Sequence, residues 1–161
     1  MFMSQSYTRR ILGDMRRMSE YNGIFATVDP NNISLCDAVV IGPSSTIWEH
    51  GVFRLKVTFT NNYPAEPPAV RFLSSIYHPN VYKDGKICLD ILTKKEWKPV
   101  YDLGTVLTSI RSLLCDPNPK DPANCDAAYE YIYDRHLYEM KVRECVRNSW
   151  LNPYDVYKKE E

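Results

Sequence analysis

Histidine is scarce in this 161-residue sequence: His50, His78 and His136 are scattered, and no two stand at helical spacing. No Cys-x-x-Cys occurs, and the five cysteines, Cys36, Cys88, Cys115, Cys125 and Cys145, are odd in number and irregular in spacing. Neither a zinc site nor a disulfide framework is expected from such a set. Most of the thiols should therefore be buried, and any exception needs a local cause. Net charge is lacking too. The 20 basic and 20 acidic residues cancel, which leaves no footprint for bulk nucleic-acid binding. No apolar run approaches the roughly 20 residues of a membrane span, and Met1–Arg10 has no apolar stretch of secretory type. These absences point to a protein of the cytoplasm or nucleus that needs no metal, cofactor, membrane or direct nucleic-acid contact.

What remains reads as one domain, since a chain of this length can bury a core without staples. Residues 5–19 have helical periodicity, with Tyr7, Ile11, Leu12, Met15 and Met18 on one side. Arg9, Arg10, Arg16 and Arg17 fall on the other, as a solvated face or a docking surface. Residues 23–73 read as strands. In Val52–Thr60, Phe53, Leu55, Val57 and Phe59 alternate with Arg54, Lys56, Thr58 and Thr60. Ile33–Ile41 is a second strand, stopped by Gly42-Pro43-Ser44-Ser45, and Val70–Leu73 is a short last one. Short turns between them predict an antiparallel meander of four strands. Tyr63-Pro64-Ala65-Glu66-Pro67-Pro68 cannot continue a central ladder and makes a rigid loop. Residues 74–101 have no period of either kind, which in a compact domain marks a functional segment. Helical pattern returns at Leu103–Leu114 with Asp102 as cap, then near Ala123–Tyr133 and Arg135–Trp150. The fold class is α+β: an N-terminal helix, the meander, the irregular segment and three further helices.

Chemistry concentrates in His78-Pro79-Asn80-Val81-Tyr82-Lys83-Asp84-Gly85-Lys86-Ile87-Cys88-Leu89-Asp90. A cysteine in an irregular segment can be accessible, as thioester chemistry requires. Asn80 offers an amide donor, which suits an oxyanion because it donates without losing its proton. A cysteine hydrolase also needs a histidine base beside its thiol. His78 is the nearest one, but Pro79 restricts its backbone, so its expected role is packing and hydrogen bonding within the loop. A cysteine without its own base suits acyl exchange between thioesters, whose leaving group is already good.

These residues resemble the ubiquitin-conjugating enzymes. The resemblance rests on His78-Pro79-Asn80, Gly85-x-Ile87-Cys88-Leu89-Asp90-Ile91-Leu92, Tyr63-Pro64-x-x-Pro67-Pro68, Trp97-x-Pro99 and Asp116-Pro117-Asn118-Pro119-x-Asp121-Pro122, in family order. It covers about residues 5–151 and leaves 152–161 as a short C-terminal extension. Within the family the chain is similar to the branch linked to DNA-damage tolerance and histone ubiquitination, through Asn31-Asn32-Ile33, His78-Pro79-Asn80-Val81-Tyr82, Pro122-Ala123-Asn124 and the ending near Ser149-Trp150. The resemblance implies that Cys88 accepts ubiquitin from the activating enzyme as a thioester and passes it to a lysine-bearing protein. It implies that Asn80 stabilises the oxyanion or holds the loop, and that Asp121 orients or deprotonates the lysine. A turn or helix-cap role is the plainer reading of Asp121. The first helix, the 63–68 loop and the 97–100 loop would dock RING-type ligases through Arg9, Arg10, Ala65, Pro99 and Val100. Arg9 and Arg10 would also meet the activating enzyme.

Four departures from the family pattern stand out. The stretch from Cys88 to Trp97 is one residue longer than usual, as in enzymes for a related modifier, although Asp90 fits the ubiquitin type. Ala65 replaces an aromatic that serves thioester-forming ligases in some members. Phe25 replaces a small residue where some members bind a second ubiquitin on the outer sheet face. Cys36 replaces an aromatic and reads as a packing change. The competing readings are a conjugating enzyme for a ubiquitin-like modifier and a non-catalytic, ubiquitin-binding variant of the fold.

Overall fold

The computed structural model describes residues 5–151, so the extension expected at 152–161 lies outside the described residues. The chain opens with helix α1 (Gln5–Arg17), followed by a 3-10 turn, Met18–Glu20. Tyr7, Ile11, Asp14 and Met18 are buried along one stripe of it, the spacing of a single helix face. Leu12, expected on that face, is 39% exposed. It lies about 100° around the helix from Ile11, beyond the edge of the stripe.

Four strands follow: β1 (Ile24–Asp29), β2 (Asn32–Ile41), β3 (Val52–Thr58) and β4 (Ala69–Phe72), antiparallel and paired in chain order. The register matches the side-chain alternation. Val40 faces Phe53, Ala38 faces Leu55 and then Phe72, and Cys36 faces Val57 and then Val70. All of these are buried on one face. The opposite face carries Phe25, Val39 and Arg54 in one row, and Thr27, Asp37, Lys56 and Arg71 in the next. Phe25 stands 60% exposed there. Cys36 is fully buried, in keeping with a packing role.

Helix α2 (Leu103–Cys115) lays Leu103, Val106, Leu107, Ile110 and Leu114 into the core. Asp102 caps it by accepting from the Thr105 N–H at 2.8 Å. Helix α3 (Cys125–Tyr133) starts two residues later than the sequence predicts, because Asn124 is its cap. Helix α4 (Arg135–Asn148) is capped by Asp134 and ends two residues early in a turn at Ser149. Cys36 and Cys145 are buried, but Cys88, Cys115 and Cys125 are exposed, against the expectation for most thiols. Cys115 closes α2 and Cys125 opens α3, each on the side of its helix that the domain leaves uncovered. Among the described residues, no helix is long and apolar enough to cross a membrane, and no three side chains group to hold a metal ion.

One buried carboxylate joins three of these parts. Asp14 is fully buried within the apolar stripe of α1. Its Oδ1 accepts from Arg10 Nε at 2.9 Å and from an Arg17 guanidinium nitrogen at 3.0 Å. Its Oδ2 accepts from the Tyr63 hydroxyl and from the Leu103 N–H at 3.1 Å. Arg10 continues outward to the carbonyls of Pro99 at 2.8 Å and Tyr101 at 2.7 Å. The helix, the 63–68 loop and the start of α2 therefore meet on one side chain, and Arg10 ties the 97–101 loop to it. Removing it strands the buried Tyr63 hydroxyl and Leu103 N–H and takes the inner partner from Arg10, which costs on the order of 2–5 kcal/mol. Asp14→Ala should lower the urea-unfolding free energy by that amount. Arg16→Ala, on the exposed side of α1, should change it by about 0.5 kcal/mol or less.

Candidate functional site

The segment after β4 has neither helix nor ladder, so its polar backbone needs other partners. His78 supplies two of them. It is fully buried and stacks near Trp48, with ring centroids 6.1 Å apart. Its Nδ1 accepts the Asn80 N–H at 2.9 Å, and its Nε2 lies 2.7 Å from the Leu113 carbonyl. An Nδ1 that accepts a backbone N–H is unprotonated, so the proton sits on Nε2 and is donated to Leu113. Burial pushes the imidazole down to about 4, while the bond to Leu113 opposes the shift. A neutral ring with both nitrogens engaged has no lone pair left for a cysteine. His78 has the packing role that its sequence context predicts.

Asn80 is the second tie, and it is 3% exposed. Its Nδ2 donates to the Asn118 carbonyl at 2.8 Å, and its Oδ1 accepts the Asn118 N–H at 2.8 Å. Its own carbonyl accepts the Cys88 N–H at 2.9 Å. The preceding carbonyl, on Pro79, accepts from Ala123 at 2.8 Å and Asn124 at 3.0 Å. Two adjacent residues thus hold the Cys88 backbone on one side and the loop from α2 to α3 on the other. The hairpin between them is pinned to the sheet at Gly85, whose carbonyl accepts the Phe72 N–H at 2.9 Å. Gly85 has φ of 88°, and a Cβ there would come 2.0 Å from the Phe72 oxygen, so only glycine fits.

Cys88 itself is exposed, in the short irregular stretch that leads to a 3-10 helix at Asp90–Leu92. Asp121 is also exposed, three residues beyond the Asn118 that Asn80 grips. It does not cap α3. That role belongs to Asn124, whose Oδ1 accepts from the Ala127 N–H at 3.1 Å. Asn80 holds one N–H already committed to Asn118, so one amide hydrogen remains for any further acceptor.

The residues expected to dock lie on α1 and on two loops that are bonded to each other. Arg9 is exposed on α1, and Ala65, Pro99 and Val100 are exposed on their loops. Val100 is 79% exposed. The two loops are joined by Trp97, whose Nε1–H donates to the Pro64 carbonyl at 2.8 Å. Arg10 and Arg17 differ from the solvated face their spacing suggests. Arg10 is turned inward to Asp14 and the 97–101 loop, and Arg17 reaches both Asp14 and Asp102. Asp14 and Asn118 are the partners that sequence reasoning missed. A signal for Asp14 existed: it stands four residues after Arg10 and three before Arg17, at ion-pair spacing. No comparable signal marks Asn118 as a partner of Asn80, which uses only its backbone.

The family model described as "Ubiquitin-conjugating enzyme" matches residues 10–146. A "Ubiquitin-conjugating enzyme E2 2" of Candida albicans is 47% identical over 150 residues, covering 92% of this chain and 83% of the relative. A "Ubiquitin-conjugating enzyme E2 2" of Debaryomyces hansenii is also 47% identical over 150 residues, with 92% and 89% covered. A "Ubiquitin-conjugating enzyme E2 3" of Arabidopsis thaliana is 44% identical over 151 residues, covering 92% of this chain and all of the relative. With its α+β architecture, its exposed cysteine and a family match across most of its length, the chain belongs to the ubiquitin-conjugating enzyme family.

Proposed function

We propose that Cys88 carries ubiquitin as a thioester received from the activating enzyme and delivers it to a lysine, with a RING-type ligase bound to α1 and the 63–68 and 97–100 loops. The observation that carries this reading is an exposed thiol whose backbone is fixed by Asn80, next to a histidine that cannot act as its base. Thioester exchange needs no such base, because one thiolate replaces another. In the second step the neutral amine nitrogen of lysine attacks the thioester carbonyl. A C–N bond forms, the C–S bond breaks, the sulfur leaves as the Cys88 thiolate, and the amine loses one proton. A free lysine is almost wholly protonated near pH 7. Asp121 acts on this step by positioning the amine or accepting its proton as the bond forms. The branch motifs support a role in DNA-damage tolerance, for an enzyme of the cytoplasm, the nucleus or both.

The activity test is charging. Incubation with activating enzyme, ATP and ubiquitin should yield a reductant-sensitive adduct on Cys88, and Cys88→Ser should give at most a slow, reductant-resistant ester. An adduct that maps instead to the exposed Cys115 or Cys125 would falsify the assignment. Related modifiers tried in the same assay separate the ubiquitin reading from its alternative.

Asn80 works through the loop it grips. Asn80→Ala should charge normally, yet discharge to free lysine more slowly, by about 10²–10³-fold, the range seen for a lost donor at an acyl-transfer site. Asp121→Ala should keep its melting temperature and show the same pattern. If Asn80 acts by holding the Asp121 loop, the double variant should be little worse than the worse single one. Fully additive defects would show instead that the amide donates directly to the oxyanion. Asn80→Asp should be no better than Asn80→Ala, because a carboxylate oxygen would face the Asn118 carbonyl.

The two arginines of α1 should also separate. Arg9→Glu is expected to weaken binding to the activating enzyme, more so at low salt, without changing stability. Arg10→Glu should in addition lower the melting temperature, since it breaks the tie from Asp14 to Pro99 and Tyr101. Equal melting temperatures for the two variants would contradict that division of labour.

A further inference from the structure

Helix α3 leaves most of its large apolar side chains outside. Its fully buried residues are its smallest, Ala127 and Ala128. Tyr131 packs half-buried against Tyr138, with ring centroids 5.2 Å apart, but the other large apolar side chains point outward: Tyr129 is 63% exposed, Ile132 52% and Tyr133 72%. Selection for core packing alone gives the reverse arrangement, with large residues in and small ones out. The alanines bring the helix close to the domain while the outer face stays apolar. Cys125, Tyr129, Ile132 and Tyr133 lie within about 100° of one another around the axis. Tyr129 and Tyr133 stack on each other with centroids 4.9 Å apart, so their rotamers are already restricted and little entropy is lost when they dock.

This face is continuous with the reactive segment. The Ala123 and Asn124 amides are bonded to Pro79, and the next residue, Asn80, holds the Cys88 amide. At the junction runs a groove lined by Tyr82, Lys83, Asp84, Asn124, Cys125 and Asp126. From there the stripe extends along α3 for about 12 Å, at 1.5 Å per residue from Cys125 to Tyr133. Aromatic side chains carry about 150–250 Å² each. The exposed part of these three residues is thus roughly 400 Å², well short of the ~800 Å² per partner that a stable dimer buries. A transient partner fits that area better than a second copy. The exposed carboxylates Asp84, Asp121 and Asp126 at the near end, with Lys83 among them, favour a cationic group arriving there.

We propose that the outer face of α3 docks the acceptor protein, gripping an apolar patch beside its lysine while the groove leads that lysine toward Cys88. This rests on the thioester reading above and names the acceptor chemistry that the same site selects.

The probes are synthetic peptides with one lysine followed, after three to nine residues, by Leu-Phe, and matched peptides with Ser-Ser in that place. Transfer from the charged enzyme is measured as kcat/KM, beside charging itself and discharge to free lysine. At one or more spacings the Leu-Phe peptide should be used about tenfold better, the scale of discrimination by a small apolar contact. Tyr129→Ser with Tyr133→Ser should erase that preference and leave charging, lysine discharge and melting temperature unchanged. The corresponding double phenylalanine variant should retain it. Equal use of both peptides at every spacing, or a preference that survives the double serine variant, overturns the proposal. So does a fall in discharge to free lysine, which would assign the face to the bound ubiquitin. A dimer in sedimentation that the double variant dissolves would assign it to a second copy. Failure of the unaltered enzyme to charge would remove the thioester reading itself, and is seen before any peptide is added.

Discussion

Buried backbone that forms neither helix nor sheet must still satisfy its amides and carbonyls, and this constraint shapes the reactive end of the molecule. Between β4 and α2 the chain crosses the protein without a ladder. The groups at residues 78–80 are satisfied by a histidine ring, an asparagine amide and the loop before α3. Because each partner comes from a different part of the chain, the arrangement is rigid without being regular. The same bonds decide the chemistry. They hold His78 neutral, take up both of its nitrogens, and leave Cys88 outside the buried network with only its backbone restrained.

A similar device organises the opposite end. Asp14 gathers α1, the 63–68 loop and the start of α2, and through Arg10 the 97–101 loop. Both hubs end on the same helix. The Leu103 amide at the start of α2 is bonded to Asp14, and the Leu113 carbonyl near its end is bonded to His78. The two bonded residues are ten positions apart along the helix, or about 15 Å at 1.5 Å per residue. The apolar side of α2 is buried against the sheet throughout, so it acts as a strut between the proline-stiffened loops and the cysteine segment. Buried charge gives weak net stability but penalises misplacement heavily, which suits parts that must keep fixed relative positions.

Helix α3 is built on another principle. Its inward alanines contribute close approach more than buried area, and its outward tyrosines lie open. Its hold on the domain comes from Tyr131 against Tyr138 and from polar ties at its margins. The Pro79 carbonyl grips its first turn, and Glu130 meets both Tyr77 and Lys141. A helix fastened at the margins and apolar outside presents a surface that costs little to cover.

What the sequence by itself determined is whatever depends on neighbours a few residues away. The meander is legible because Phe53, Leu55 and Val57 alternate, and the stripe of α1 because Tyr7, Ile11 and Met18 recur at helical spacing. The Asp102 cap is likewise visible, because a cap bonds within one turn. The motif around Cys88 points to an accessible thiol, since a segment without periodicity cannot hide all its residues. Tertiary structure alone decided which distant groups answer the polar ones. Nothing near Asn80 in the chain indicates that it will clamp Asn118, 38 residues on. Nothing near Asp14 indicates Tyr63 or Leu103. The displaced expectations have the same origin. Leu12 and Cys125 carry apolar or thiol character that favours burial, but whether a neighbouring element covers them is settled by packing across the whole domain. Arg10 carries charge that favours water, yet a carboxylate one turn away and two carbonyls about 90 residues on draw it inward. Local periodicity fixes which face a residue occupies, whereas long-range hydrogen bonds, blind to chain distance, fix what that face meets.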